Sequence, residues 1–145
     1  MKRVVVGLIK FVITLCIFSA VFLVSVYLGY LYITPSSYVR LDCTPSVEFS
    51  LNTFDRVIKI KTGDEDTAGI GELKLYNMEI TKAVQEAINV LASSGYISSN
   101  SSLIISVSNK DENKTSYLIG KLHEKIINDD ENYEIQMVKM EYPLK

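Results

Sequence analysis

Side chains able to do chemistry are sparse in this chain. Among 145 residues it holds one histidine, His123, and two cysteines, Cys16 and Cys43. Those three alone cannot make a four-ligand zinc site. His123 sits between Leu122 and Glu124 in a stretch with helical spacing. A histidine acting as general base needs a nucleophile or carboxylate within hydrogen-bond reach. No G-x-S-x-G, H-E-x-x-H or C-x-x-C pattern supplies one. His123 therefore reads as a surface or partly buried side chain. Asp64, Glu65 and Asp66 lie in the polar loop 62–71, but the D-x-[DN]-x-[DN]-G register with a distal Glu is absent, so this is a solvated loop. Gly69 and Gly71 are not followed by the G-K-[ST] of a phosphate loop. The acids around 128–131 read as a loop after a helix. Asn100-Ser101-Ser102 and Asn113-Lys114-Thr115 match the glycosylation sequon, which matters only in a glycosylating secretory system. No enzyme activity, cofactor or metal is expected.

The bulk composition is consistent with that. There are 15 basic and 17 acidic residues, for a net charge of −2. The pI of 5.4 argues against a nucleic-acid binder, which would show a basic face. At 48% hydrophobic residues and a mean hydropathy of +0.17, the chain is richer in apolar residues than a plain soluble domain. The excess is concentrated at 11–33, FVITLCIFSAVFLVSVYLGYLYI, which carries no charge over 23 residues. About 20 apolar residues cross the hydrocarbon core, so this run spans with some tilt. Tyr27, Tyr30 and Tyr32 cluster at its end as in an interfacial aromatic belt. Lys2, Arg3 and Lys10 precede it and no acid comes before Asp42. The positive-inside rule puts residues 1–10 in the cytoplasm and everything after the span outside, in the cell membrane as a single pass. A cleaved signal peptide is the competing reading, but its apolar region is shorter and ends in a small-x-small site. A lipoprotein reading through Cys43 is poorer, with Asp42 where a small residue is needed. Cys16 and Cys43 fall on either side of the membrane boundary, so no internal disulfide is expected. Cys43 is then a buried inert thiol or an intermolecular partner.

After the linker 34–37, residues 38–140 read as one domain, with a tail at 141–145. Val39, Leu41, Cys43, Pro45, Val47, Phe49 and Leu51 occupy odd positions, and polar residues the even ones. This period of two predicts a long strand with one buried face. Pro45 cannot donate to a ladder and marks an edge, a bulge or a break. Asn52-Thr53 suits a turn, and 54–61 a second strand paired as a hairpin. Residues 79–94 carry Ile80, Ala83, Val84, Ala87, Ile88, Leu91 and Ala92 on one helical stripe, with Gly95 placed to end it. The apolar run 102–108 reads as a central strand. A second helix covers 114–128, with Tyr117, Leu118, Leu122 and Ile126 facing the sheet, and 133–140 is a final strand. The order is ββαβαβ: an N-terminal transmembrane helix followed by a small α/β mixed-sheet sandwich.

The segment 38–58, YVRLDCTPSVEFSLNTFDRVI, is the most distinctive in the chain. It resembles the extracytoplasmic middle domain of RsgI-type anti-sigma factors, membrane regulators of sigma-I in Bacillus and clostridia. That family reads approximately Y-x-x-[LI]-D-x-N-P-S-[IV]-E-[LF]-x-[LV]-N-x-[FY]-x-R-V-[IL]. The matching positions are Tyr38, Leu41, Asp42, Pro45, Ser46, Val47, Glu48, Phe49, Leu51, Asn52, Phe54, Arg56, Val57 and Ile58. The helix 83–91, the turn 95–97, the strand 103–107 and the second helix also fit, so the likeness covers about 10–140. In that family a cytoplasmic N-terminal domain holds the sigma factor, and the span and middle domain carry a signal from outside, sometimes through a C-terminal carbohydrate-binding module. The middle domain cuts itself at an Asn-Pro bond, preparing proteolysis within the membrane.

Three departures qualify the likeness. About ten residues precede the span, too few for a sigma-binding domain. No carbohydrate module follows before Lys145. The asparagine of the cleaved bond is Thr44 here. An asparagine amide nitrogen attacks its own carbonyl carbon through a five-membered ring, whereas the threonine hydroxyl would need a four-membered one. Cys43 has the reach to attack the Asp42 carbonyl instead, but nothing in the sequence activates it. The bond Thr44-Pro45 is expected to stay intact. The resemblance implies a component of anti-sigma signalling, acting with a full-length anti-sigma factor or as half of a split system. The alternative is a membrane-anchored structural module that binds cell-wall polymer or forms a homo-oligomer through the sheet edge near Pro45, without a sigma partner.

Overall fold

In the computed structural model, residues 1–63, 74–98, 101–129 and 134–142 are described. The acids Asp64, Glu65 and Asp66, Gly69, Gly71, Asn100 and the acids 130–131 lie outside them. The chain divides into two compact units, Met1–Thr34 and Pro35–Lys145.

The first unit is one helix, α1 (Lys2–Ile33). It begins before the apolar run at 11–33, because residues 2–10 contain no proline and a single Gly7, which costs only about 1 kcal/mol. Its 32 residues give a length of about 48 Å at 1.5 Å per residue, more than a hydrocarbon core requires. The stretch Arg3–Ile33 is long and apolar enough to cross a membrane. Two of its hydroxyls bond back to the helix's own carbonyls, which suits a lipid surrounding. Thr14 Oγ1 donates to the Lys10 carbonyl at 2.9 Å, and Ser25 Oγ to that of Val21 at 2.8 Å. The helix stops where Thr34 turns extended (φ −90°, ψ 128°), the conformation a following proline favours.

The second unit is a five-stranded mixed sheet with two helices. Its strands are β1 (Ser37–Asp42), β2 (Val47–Leu51), β3 (Val57–Thr62), β4 (Ser102–Asn109) and β5 (Glu134–Lys139), and its helices α2 (Ile80–Ser93) and α3 (Glu112–Asp129). The sheet order is β3-β2-β1-β4-β5. β1 pairs antiparallel with β2 and β4, β2 with β3, and β4 pairs parallel with β5. The chain is thus α/β, as its patterning indicated, with one refinement. The single long strand expected over 39–52 is two strands. Pro45, which has no N–H to offer a ladder, sits in the reversal between them. Leu41 pairs with Val47, so odd residues keep the same face on both sides of the turn. This also moves Pro45 away from any sheet edge: β1 and β2 are interior, and the edges are β3 and β5.

One face of the sheet packs on the helices. Val39, Leu41, Phe49 and Leu51 from the first hairpin meet Leu103, Ile105 and Val107 of β4, all fully or almost fully buried. Ile80, Ala83, Val84, Ala87, Ile88 and Leu91 of α2 and Leu118, Leu122 and Ile126 of α3 close the core. Gly95, at φ 79°, takes the left-handed position that ends α2, and Tyr96 N–H donates to the Leu91 carbonyl at 2.9 Å. Tyr117 does not face the sheet as its spacing suggested. It is 54% exposed, and the ammonium groups of Lys114 and Lys121 lie 4.8 and 5.7 Å from its ring centroid. Cation–π contact holds it on the outside. His123 is exposed.

Candidate functional site

The residues singled out by pattern fall at the two ends of β2. At one end, residues 43–46 link β1 to β2. The last β1 residue, Asp42, is held from two sides. Arg40 Nε is 2.7 Å from Asp42 Oδ1, and Ser106 Oγ of β4 donates to Oδ2 at 2.7 Å. Cys43 Sγ donates to the Pro45 carbonyl at 3.0 Å, across the Thr44-Pro45 peptide, which is cis. Thr44 is exposed and Pro45 buried. Gly63 N–H donates to the Ser46 carbonyl at 2.9 Å. A Cβ on Gly63 would lie 2.9 Å from Ser46 Oγ, so this close approach suits glycine. Glu48 is paired across to Arg40 on β1 and Lys61 on β3, with Lys61 Nζ 3.6 Å from Oε1. Together Arg40, Asp42, Cys43, Thr44, Pro45, Ser46 and Gly63 line an open recess of about 430 Å³.

The thiol in the recess is not activated. Burial raises the Cys43 thiol above its ordinary pKa, and the neighbouring Asp42 charge adds to this. A thiol raised in this way stays protonated near neutral pH, and the protonated form is a poor nucleophile. Among the described residues, no cluster of three His, Cys, Asp or Glu side chains is placed to hold a metal.

At the other end of β2, residues 52–56 turn the chain into β3. Asn52 is fully buried and organises this turn. Its Oδ1 accepts from Phe54 N–H at 3.0 Å and Arg56 N–H at 3.1 Å, while its own N–H donates to the Arg56 carbonyl. Arg56 Nη1 donates to the Asn77 carbonyl at 2.6 Å, tying in the segment before α2. Phe54 points outward, 49% exposed. Hence Asn52 and Arg56 shape the turn, and they do not join Asp42, Thr44, Pro45, Ser46 and Glu48 in one site.

Beside this turn lies a charge cluster that sequence reading missed. Asp55 takes φ 60° and is 6% exposed. Lys114 Nζ reaches both its oxygens, at 2.8 and 3.0 Å. Lys121 Nζ lies 3.6 Å from Asp55 and 2.7 Å from Glu79 Oε1. Burial works to raise the Glu79 pKa, but hydrogen bonds from Lys121 and Thr81 and the Lys121 and Lys82 charges outweigh it, so the carboxyl is held below its ordinary value. Burial likewise works to lower Lys121, and the Glu79 hydrogen bond with the Glu79 and Asp55 charges raises it overall.

These directions set a pH dependence. A depressed Glu79 contributes stability that is present above its unfolded pKa of about 4.3 and lost as pH falls through the folded value. A raised Lys121 contributes stability that is present below about 10.4 and lost as pH rises through its folded value. Urea unfolding of the detergent-solubilised chain is expected to show a plateau at neutral pH and a fall in acid. Glu79→Gln is expected to lower the plateau and flatten that fall. An acid limb identical to that of the native chain would show that Glu79 plays no part in it.

Comparison with known proteins covers nearly all of the second unit. Residues 36–144 match the family described as the anti-sigma factor RsgI-like central domain. Over 106 residues the chain is 26% identical to a protein of Acetivibrio thermocellus named anti-sigma-I factor RsgI7, covering 70% of this chain and 20% of that protein. The chain thus spans about a fifth of the length of the curated relative it matches.

Proposed function

The chain belongs to the family of RsgI-like anti-sigma factor central domains, and from that premise we propose that it is a single-pass component of sigma-I-type transmembrane signalling. The observation that carries this reading is the family match over residues 36–144, directly downstream of a helix able to span a membrane. The N-terminus lies in the cytoplasm and the sheet domain outside, consistent with Lys2, Arg3 and Lys10 preceding the apolar run. The domain receives a signal outside and passes it on by association, with a full-length anti-sigma factor or with the sigma-holding half of a split system.

The domain acts without catalysis, and the Thr44-Pro45 bond remains closed in the working protein. Support comes from the raised Cys43 thiol and from the missing amide at Thr44.

The reading is tested in the native cell. Deleting residues 35–145 is expected to change transcription from sigma-I-type promoters, and the tagged full chain to co-purify with an anti-sigma-I protein. Unchanged transcription together with retention on isolated cell wall would overturn it in favour of a wall-binding module.

A further inference from the structure

Among the described residues outside α1, five large apolar or aromatic side chains are markedly exposed: Phe54, Tyr76, Tyr96, Tyr117 and Val138. Three of them gather at one end of the sheet. Phe54 stands in the β2–β3 turn. Tyr76 precedes Asn77, whose carbonyl Arg56 grips. Tyr117 is tied to the turn through Lys114, whose ammonium contacts both Asp55 and the Tyr117 ring. The chain enters the domain at this same end. Ser37 pairs with Leu51, and Ser36 N–H donates to the Leu51 carbonyl at 2.7 Å. Asn52 holds the turn's backbone from within, and Phe54 is 49% exposed.

Chain length limits what this end can meet. Four residue steps separate Ile33, the last residue of α1, from Ser37, a reach of at most about 14 Å. Aromatic rings with lysines beside them are the composition found where protein meets lipid headgroups. We propose that this end of the domain is a lipid-contacting surface, in which Phe54 enters the headgroup region of the bilayer and Tyr76 and Tyr117 flank it. The proposal rests on α1 spanning that bilayer. Charge of one sign does not drive it, since Arg56, Lys110 and Lys114 share this end with Asp55, Asp111 and Glu112. The contact therefore holds in zwitterionic lipid as well as in anionic lipid.

The chain contains no tryptophan, so a single one reports its own position. Four variants of the full chain serve: Phe54→Trp, Tyr117→Trp, Tyr96→Trp and Phe18→Trp. Tyr96 follows α2, which starts at the turn and carries the chain about 21 Å away from it over its 14 residues. Phe18 lies inside α1. Each variant is placed in phosphatidylcholine vesicles whose acyl chains are brominated near the headgroups, and Phe18→Trp is read in vesicles brominated near the chain ends. Phe54→Trp and Tyr117→Trp are expected to be quenched at least about twofold more than Tyr96→Trp. If both are quenched no more than Tyr96→Trp while Phe18→Trp is quenched, the lipid contact is refuted. If Phe18→Trp itself is unquenched, the spanning helix is refuted, and the lipid contact falls with it.

Discussion

Thr44→Asn is expected to convert an intact chain into two fragments. Blotted from its membrane with a tag at each end, the native protein should run as one band, and the variant should release a piece beginning at Pro45. The argument is ring size. In the variant, the amide nitrogen of the introduced asparagine attacks that residue's own carbonyl carbon. A five-membered succinimide closes, the bond to the proline nitrogen breaks, and the amide proton passes to that nitrogen. The native hydroxyl would need a four-membered ring for the same attack. A five-membered ring is open to it only toward the Cys43 carbonyl. That shift exchanges the Cys43-Thr44 peptide bond for an ester on Thr44 Oγ with a free Thr44 amine, and only hydrolysis of the ester by water would release a fragment that starts at Thr44. Cys43 is a poor substitute nucleophile, with its thiol raised by burial and donating to the Pro45 carbonyl. Thr44 is exposed, so asparagine enters without repacking the core, while Asp42, Ser46 and Glu48 of the motif stay in place. N-terminal sequencing separates the cases. A native fragment starting at Pro45 would show that the fold cuts this bond without asparagine. An intact variant would show that the amide alone is insufficient in this recess.

The alternation over residues 39–51 was legible because burial on one face enforces it, yet it could not reveal the reversal inside it. Leu41 pairs with Val47, an even separation, so a tight turn leaves the parity of buried positions unchanged. A continuous strand and a hairpin therefore print the same pattern, and only Pro45 distinguishes them. The helices were legible for the converse reason, since the spacing of Ala83, Val84, Ala87, Ile88 and Leu91 fits one helical face and no strand. Tyr117 misled because an aromatic at a core-compatible position can equally lie over two lysines. The recess was legible in part, through Asp42, Thr44 and Pro45, which are adjacent in sequence. Ser106, its other anchor, arrives from 64 positions away and left no local trace. The cluster of Asp55, Glu79, Lys114 and Lys121 was illegible for the same reason: its members come from a turn, the residue that caps α2 and the helix α3, and each alone reads as a solvated charge.

That cluster carries the largest expected stability effect among the charged residues. Replacing Asp55 with alanine removes a carboxylate that is 6% exposed and contacts two ammonium groups. Breaking a buried pair from one side costs several kcal/mol when the partner charge is stranded. Here Lys114 and Lys121 are 29% and 28% exposed, and Lys121 keeps Glu79, so both can partly rehydrate and the loss is about 2 kcal/mol. Alanine also has to hold φ 60°, where its Cβ crowds the backbone, which adds about 1 kcal/mol. Asparagine tolerates that conformation, so Asp55→Asn should lose only the charge. The expected order of thermal unfolding is native, then Asp55→Asn, then Asp55→Ala, with the last lowered by on the order of 15 °C for a domain of this size. Equal midpoints for the two variants would remove the backbone contribution. Midpoints within a degree or two of the native one would mean that these ion pairs count no more than exposed ones. The turn would then rest on the hydrogen bonds of Asn52 and Arg56.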